Sequence, residues 1–274
     1  MERDQKSAAA RVLIAVLAII AAALILTPLV WMVLSSFKSS DQVTAYPPSL
    51  LFRPTLANYE NLARTTSFLA YARNSLIESG GATLLGLLLG IPAAYAASVT
   101  RASWPALATL SARMAPGTLF LVPWYLAFRD FNLIGSYTAL ILTQGVIALP
   151  IVIWVLLPVF DAIPRSVLEA AQVDGCGVLR SLWRIGLPLA RPGIVIATIL
   201  SFVFSWNFFL FALVLSDHST KPLVVAAFNF IGEGSTDWGG LMAAATLITL
   251  PPLVLAIAVQ RWLVAGLTLG AVKG

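Results

Sequence analysis

The chain has 274 residues, of which 59% are hydrophobic and 11% charged, with a formal net charge of +5. Soluble domains carry about 25% charged residues, so this composition excludes an ordinary water-soluble fold and describes an integral membrane protein. A single cysteine, Cys176, and a single histidine, His218, exclude an internal disulfide and a Cys/His metal cluster.

Six runs are long and apolar enough to cross the hydrocarbon layer as helices: roughly 12 to 34, 76 to 99, 104 to 128, 137 to 160, 193 to 215 and 239 to 260. No alternating short strands of a β-barrel are visible, so an all-α membrane protein with six transmembrane helices is expected. Arg3, Lys6 and Arg11 precede the first run in the manner of a secretory signal. That run is too long for one, and Pro28, Trp31 and Met32 offer no small-residue cleavage site, so it reads as a retained span. Residues 35 to 75 then leave the membrane; the prolines of "YPPSLLFRPTLANYENL" favour extended chain, and "TLANYENL" fits a short surface helix.

Two charges fall within runs. Glu78 lies near the outer end of the second, and Arg113 stands about nine residues into the third, where an unpaired charge costs roughly 3 kcal/mol. In one reading Arg113 lines a translocation cavity, steadied by Glu78. In the other it snorkels or satisfies backbone near the helix break signalled by "MAPG", and Glu78 is interfacial.

Between the fourth and fifth runs, residues 161 to 192 form a loop with signals of its own. Ser166 and Glu169 have capping-box spacing, and Gly175 suits a left-handed helix stop. These predict a helix of two to three turns, about 12 to 15 Å long. Ala170 and Ala171 keep its surface thin, and a free helix this short is marginal in water, so it calls for a partner. Leu179, Leu182, Trp183 and Gly186 then share one helical face and Arg180 and Arg184 another, which suits an anionic membrane surface. Pro188 and Pro192 are expected to break the chain before the fifth span. The loop so read holds its short helix away from the membrane on a braced stalk.

The fifth run contains "SFVFSWNFFLFALVL", where Trp206 and Asn207 fit an aromatic face beside an amide, as sugar sites use, or equally helix packing across Asn207. Residues 216 to 238 form a second external segment, and "GEGSTDWGG" bounds the last span with turn residues. Six spans place both termini on one side. That side carries ten Lys/Arg against six on the other, so the termini and the 161 to 192 loop are expected in the cytoplasm. The division is a 1 to 11 cytoplasmic tail, a 12 to 263 transmembrane domain and a 264 to 274 cytoplasmic tail.

The spacing Glu169, Ala170, Ala171, three residues, Gly175, nine residues, Ile185, one residue, Leu187, Pro188 matches the EAA loop of ABC importer permeases. "PPSL", "TLANY", "NSLI", "PAAYAAS", "IPRSVLEAAQVDG" and "GLTLGAVKG" extend the resemblance from about Trp31 to Gly274, and look like the second permease of the sugar-type, maltose-like branch. The family often has an acidic residue after "WN", where this chain has Phe208. The resemblance implies a type I importer permease architecture and a coupling helix, carried by Ser166, Glu169, Ala170, Ala171, Asp174 and Gly175, that docks on a separate ATPase. It implies a heterodimer with a second permease, an ATPase dimer that binds ATP and Mg, and an extracytoplasmic solute-binding protein. The cargo it implies is a sugar: an oligosaccharide, a disaccharide or an amino sugar. The membrane is the plasma membrane of a bacterium or archaeon. No cofactor and no nucleic acid is implied for this chain.

The chain holds no GxxxxGK[ST] phosphate loop, so its energy comes from elsewhere. An importer for a phosphorylated polyol or other polar solute would show cargo-complementary charges in the spans, and few are present. An ion-coupled secondary transporter would need internal repeats and midplane carboxylates, and neither is evident. No cluster of His, Cys and carboxylates supports a membrane enzyme.

Overall fold

The computed structural model describes residues 2–65, 67–102, 104–114, 117–231 and 236–271; the side chains of residues 2–9, 65, 105, 106, 110, 112, 113 and 261–271 lie outside that description. The described chain is helical throughout: α1 (Glu2–Ser36), α2 (Ser40–Val43), α3 (Ala57–Thr65), α4 (Phe68–Thr100), α5 (Trp104–Met114), α6 (Thr118–Asp130), α7 (Tyr137–Asp161), α8 (Arg165–Val173), α9 (Val178–Ser181), a π-helical turn (Leu182–Gly186), α10 (Leu187–Trp206), α11 (Leu210–Leu215), α12 (Leu223–Ala226), a 3₁₀ turn (Ala227–Phe230) and α13 (Trp238–Ala271). Five helical segments are long and apolar enough to span: Ala10–Ser36, Phe68–Thr100, Tyr137–Asp161, Val178–Trp206 and Trp238–Gln260.

Two compact units divide the chain. The first comprises Met1–Ser67 and Ala227–Thr249. Within it the segment after α1 is pinned by side chains that serve backbone carbonyls. Asn58 donates through Nδ2 to the Ser36 and Lys38 carbonyls at 2.7 and 2.8 Å. Lys38 is buried, donates to the Ser49 carbonyl at 2.9 Å and lies over the rings of Trp31 and Phe52 at 4.5 and 4.9 Å, a cation–π cradle in place of a carboxylate. The expected surface helix is present as α3.

The second unit, Phe68–Ala226 and Leu250–Gly274, is organised on α4 and α7. Small residues set their approach: a Cβ on Gly86 would lie 2.9 Å from Ala148 Cβ and 3.3 Å from the Leu149 backbone nitrogen, and one on Gly90 2.6 Å from Val152 Cγ1. This is how membrane helices gain contact where lipid supplies no hydrophobic drive. Gly81 faces Ile141, Gly86 faces Ala148, Gly90 faces Val152 and Tyr95 faces Phe160. Residue numbers rise together along the contact, so α4 and α7 run parallel. Two parallel spans require the intervening chain to return across the membrane.

The stretch between them holds α5 and α6, which corrects the expected form of the third run. The run 104 to 128 is two helices, α6 beginning after its N-cap Gly117. The sequence signal for the break is "MAPG", since a proline lacks a backbone donor and disfavours helix in the residue before it; Ala115 and Pro116 themselves lie outside the described residues. Five segments are thus long and apolar enough to cross as single helices, and the run between α4 and α7 is a pair of shorter ones.

Two further expectations are corrected. Pro188 and Pro192 do not break the chain, since helix runs from Val178 to Trp206. The π turn explains how: the Leu187 N–H reaches back five residues to the Leu182 carbonyl, a widened turn that precedes Pro188 in the first turn of α10, where a missing donor costs least. The fifth helix also stops at Trp206 rather than near 215. The chain resumes as α11, with Asn207 as C-cap between the two. At the C-terminus α13 continues through Ala271, so most of the expected tail 264 to 274 is helical backbone.

Candidate functional site

The expected loop helix is α8, nine residues long. It starts two residues earlier than the capping-box reading requires: its N-cap is Pro164, without a side-chain cap bond, and the Val167 N–H bonds the Pro164 carbonyl at 3.0 Å. Ser166 and Glu169 therefore stand inside the helix and form no capping box. Its far end follows expectation. Asp174 is the C-cap, Gly175 has φ +75°, the Gly175 N–H bonds the Gln172 carbonyl and the Cys176 N–H bonds the Ala171 carbonyl at 2.8 Å. These paired bonds form a Schellman stop.

The two faces of α8 differ. Leu168 and Ala171 point inward and are buried, Leu168 joining the core cluster of Tyr95, Phe160, Ile163 and Leu182. Ser166, Glu169, Ala170 and Val173 follow i, i+3, i+4, i+7 spacing on the opposite face and are exposed, Val173 at 88%. Of the two alanines only Ala170 is outward. The helix is docked on the core and not held out on a stalk, because Leu168 supplies an anchor that the alanine pair concealed.

Two side chains lock this platform. Arg165 donates from Nη2 to the Ser98 carbonyl at 2.9 Å and from Nη1 to the Val99 carbonyl at 3.1 Å, so the guanidinium that opens α8 also closes α4. A cation at a helix C-terminus satisfies orphan carbonyls and favours the macrodipole. Tyr95 packs edge-on against Phe160 at 5.3 Å and donates its hydroxyl to Ser181 Oγ at 2.9 Å. Gly186 admits the ring, since a Cβ there would lie 3.0 Å from Tyr95 Cε2. The expected single face of 179, 182, 183 and 186 divides: Leu182 and Gly186 are buried, while Leu179 and Trp183 are exposed.

The structure does not bring the three substrate-path candidates together as one described site. Arg113 lies on α5, but its side chain is outside the described residues. Trp206 is buried and stacks on Phe202 at 5.6 Å, while Asn207 is exposed and donates to the Val203 carbonyl at 2.8 Å. Glu78, read either as steadying Arg113 or as interfacial, is buried in α4, and its Oε2 accepts from Gln144 Nε2 at 3.3 Å.

At the opposite end of α4 lies a polar clamp that sequence reasoning missed. Asn74, fully buried, donates to the Ser219 and Lys221 carbonyls at 2.9 and 3.0 Å and accepts from the Tyr137 hydroxyl at 2.6 Å. Ser75 accepts from the Leu223 N–H. The clamped loop is organised on Asp217, whose Oδ1 accepts from the Ser219 hydroxyl and N–H and the Thr220 N–H and hydroxyl, the Ser219 hydroxyl being the main cause of a carboxyl held below its ordinary range. The signal available was the polar "NS" pair opening an apolar run.

The chain matches the family model described as "Binding-protein-dependent transport system inner membrane component" over residues 86–269. It is 33% identical over 273 residues, 96% of this chain and 97% of the relative, to the trehalose/maltose transport system permease protein MalG of Thermococcus litoralis. It is 34% identical to the trehalose transport system permease protein SugB of Mycobacterium tuberculosis, over 91% of this chain and 93% of that one. Among solved structures it superposes with a TM-score of 0.74 on a chain of a bacterial ABC transporter involved in the import of the acidic polysaccharide alginate, at 21% identity, covering 91% of this chain and 95% of that one, a likeness of fold. A polytopic helical chain with a short helix docked between α7 and α10, matched over two thirds of its length by one family model, belongs to the binding-protein-dependent inner-membrane components of ABC importers.

Proposed function

We propose that this chain is one of two permease subunits of an importer that carries a disaccharide or short oligosaccharide across the plasma membrane, driven by a separate ATPase that docks on α8. The observation that carries the reading is the two-faced α8. Its inner face is anchored by Leu168 and Arg165, and its outer face of Ser166, Glu169, Ala170 and Val173 stands open. An anchored helix moves with its platform, so a partner gripping the outer face transmits displacement to α4, α7 and α10 instead of bending a loose arm. The sugar assignment is supported by the names of the trehalose/maltose and trehalose permeases.

In this reading ATP and Mg are bound by the partner ATPase dimer, and this chain performs no covalent chemistry. A solute-binding protein delivers cargo at the end bearing Asn74 and Asp217, and α8 and both termini face the cytoplasm. The interruption at Asn207 supports a passage there, because non-helical backbone within a membrane is tolerated where it is buried in protein or lines a wet cavity. The amide oxygen of Asn207 is the group on offer to a sugar hydroxyl, and Arg113 is a second candidate.

The test is a cross-link. With Cys176 replaced by serine, a cysteine at Ala170 should couple to the ATPase in the assembled transporter, while one at the inward Ala171 should not. Sugar uptake into proteoliposomes should require ATP and the partner subunits. Absence of the Ala170 cross-link, or uphill uptake by this chain alone, would overturn the reading.

A further inference from the structure

Between the exposed side of α4 and the α9 to α10 segment runs a groove of about 610 Å³, lined on one wall by Leu84, Leu88 and Ile91 and on the other by Leu179, Trp183 and Arg191. Leu84, Leu88, Leu179 and Trp183 are all more than half exposed. The groove is apolar except at Arg191, which is exposed and has no carboxylate within ion-pair distance among the described residues. Arg180 and Arg184 stand on the same segment, also exposed and also without a carboxylate within ion-pair distance among the described residues.

We infer that this groove is a binding site for an anionic phospholipid of the leaflet at the α8 end, its phosphate held by Arg191 and its acyl chains laid along the leucines. The lining has the polarity of such a molecule, one charged end and an apolar length. From Leu84 to Ile91 the wall rises about 10 Å along α4, which accommodates a stretch of acyl chain. A guanidinium among leucines at the rim of the hydrocarbon layer is costly unless it reaches an anion or the headgroup zone, and three cations without protein carboxylates select a negative headgroup over a zwitterionic one. The indole of Trp183 suits the interfacial level, where tryptophan is enriched. Pro188 lines the groove and the π turn adjoins it, so the lipid braces the segment that joins α8 to α10.

The inference rests on the proposed orientation only for which leaflet supplies the lipid. Native mass spectrometry of the assembled transporter, titrated with phosphatidylglycerol or with phosphatidylcholine of the same chains, measures the preference. Wild type should retain phosphatidylglycerol selectively. Arg191→Gln should weaken that retention about fivefold, from the ~1 kcal/mol each basic residue contributes at an anionic surface, while Arg191→Lys should keep most of it, and the loss for phosphatidylcholine, whose choline offsets its phosphate, should be smaller. Equal retention of both lipids by wild type, an unchanged Arg191→Gln, or a photo-cross-linker at position 183 that captures a protein subunit instead of lipid would overturn the site. Labelling of the native Cys176 by a membrane-impermeant maleimide in oriented vesicles reports separately on the leaflet. Selective retention with Cys176 open to the outside would keep the groove and overturn the cytoplasmic assignment.

Discussion

The hydroxyls of Tyr95 and Ser181 lie 2.9 Å apart in a buried hydrogen bond that ties α4 to the segment leading out of the α8 loop. Tyr95→Phe keeps the ring on Phe160 and Gly186 and leaves Ser181 unpaired, costing about 1 kcal/mol. Tyr95→Ala also opens a cavity and should cost about 3 to 5 kcal/mol. Thermal unfolding of Tyr95→Phe, Ser181→Ala and the double variant should give a coupling energy of about 1 kcal/mol; strict additivity would remove the bond from the stability of this end.

Gly175→Val tests the helix stop. No heavy atom lies within 4 Å of a Cβ built there, so the penalty is the left-handed backbone alone, about 1 to 2 kcal/mol. ATP hydrolysis should persist while sugar uptake falls. Asn, which tolerates this conformation, should restore much of the uptake.

Gly86→Ala places a methyl against the backbone of α7, which cannot yield as a side-chain tip does. A loss of about 1 to 3 kcal/mol is expected in detergent unfolding. Gly80→Ala, on the same helix with open space around it, should be neutral or mildly stabilising.

Asn74→Leu removes three hydrogen bonds and strands the Tyr137 hydroxyl and two loop carbonyls, for a cost of about 3 kcal/mol. Limited proteolysis of the assembled transporter should show cleavage in residues 216 to 222 rising well before the helices unfold.

The same loop should be acid-sensitive. The folded Asp217 carboxyl titrates below its ordinary 3.8, chiefly through the Ser219 hydroxyl, so its contribution is fully present above that value and is lost as pH falls through the lowered one. Amide exchange at Ser219 and Thr220, corrected for intrinsic rates, should accelerate below about pH 4. Asp217→Asn, which keeps an acceptor but cannot titrate, should flatten that profile.

Much of this was readable from residue order, and the failures share a cause. "VLEAAQVDG" announced the short helix and Gly175 its stop, because both are local: periodicity and one φ angle. Arg165 and Leu168 decided the rest through partners far along the chain, at Ser98 and in the Tyr95 cluster, and moved the helix start off Ser166. The prolines at 188 and 192 misled for the same reason, since a π turn redirects one carbonyl and no composition rule marks it. "MAPG" did announce that the third run divides into two helices. Asn74 and Tyr137 escaped notice because isolated polar residues at span ends usually meet water, and only the tertiary fold brings the 219 and 221 carbonyls to them.

One helix carries both fixtures. Asn74 and Tyr95 are 21 positions apart on α4, about 32 Å at 1.5 Å per residue. In the proposed coupling, a thrust delivered at the α8 platform would travel to the Asn74 clamp along this one helix, whose single interior proline, Pro92, is the place where it can flex. On that proposal stiffness along residues 74 to 95, Pro92 included, would set how much of a push from the partner ATPase arrives as motion at the far end of α4.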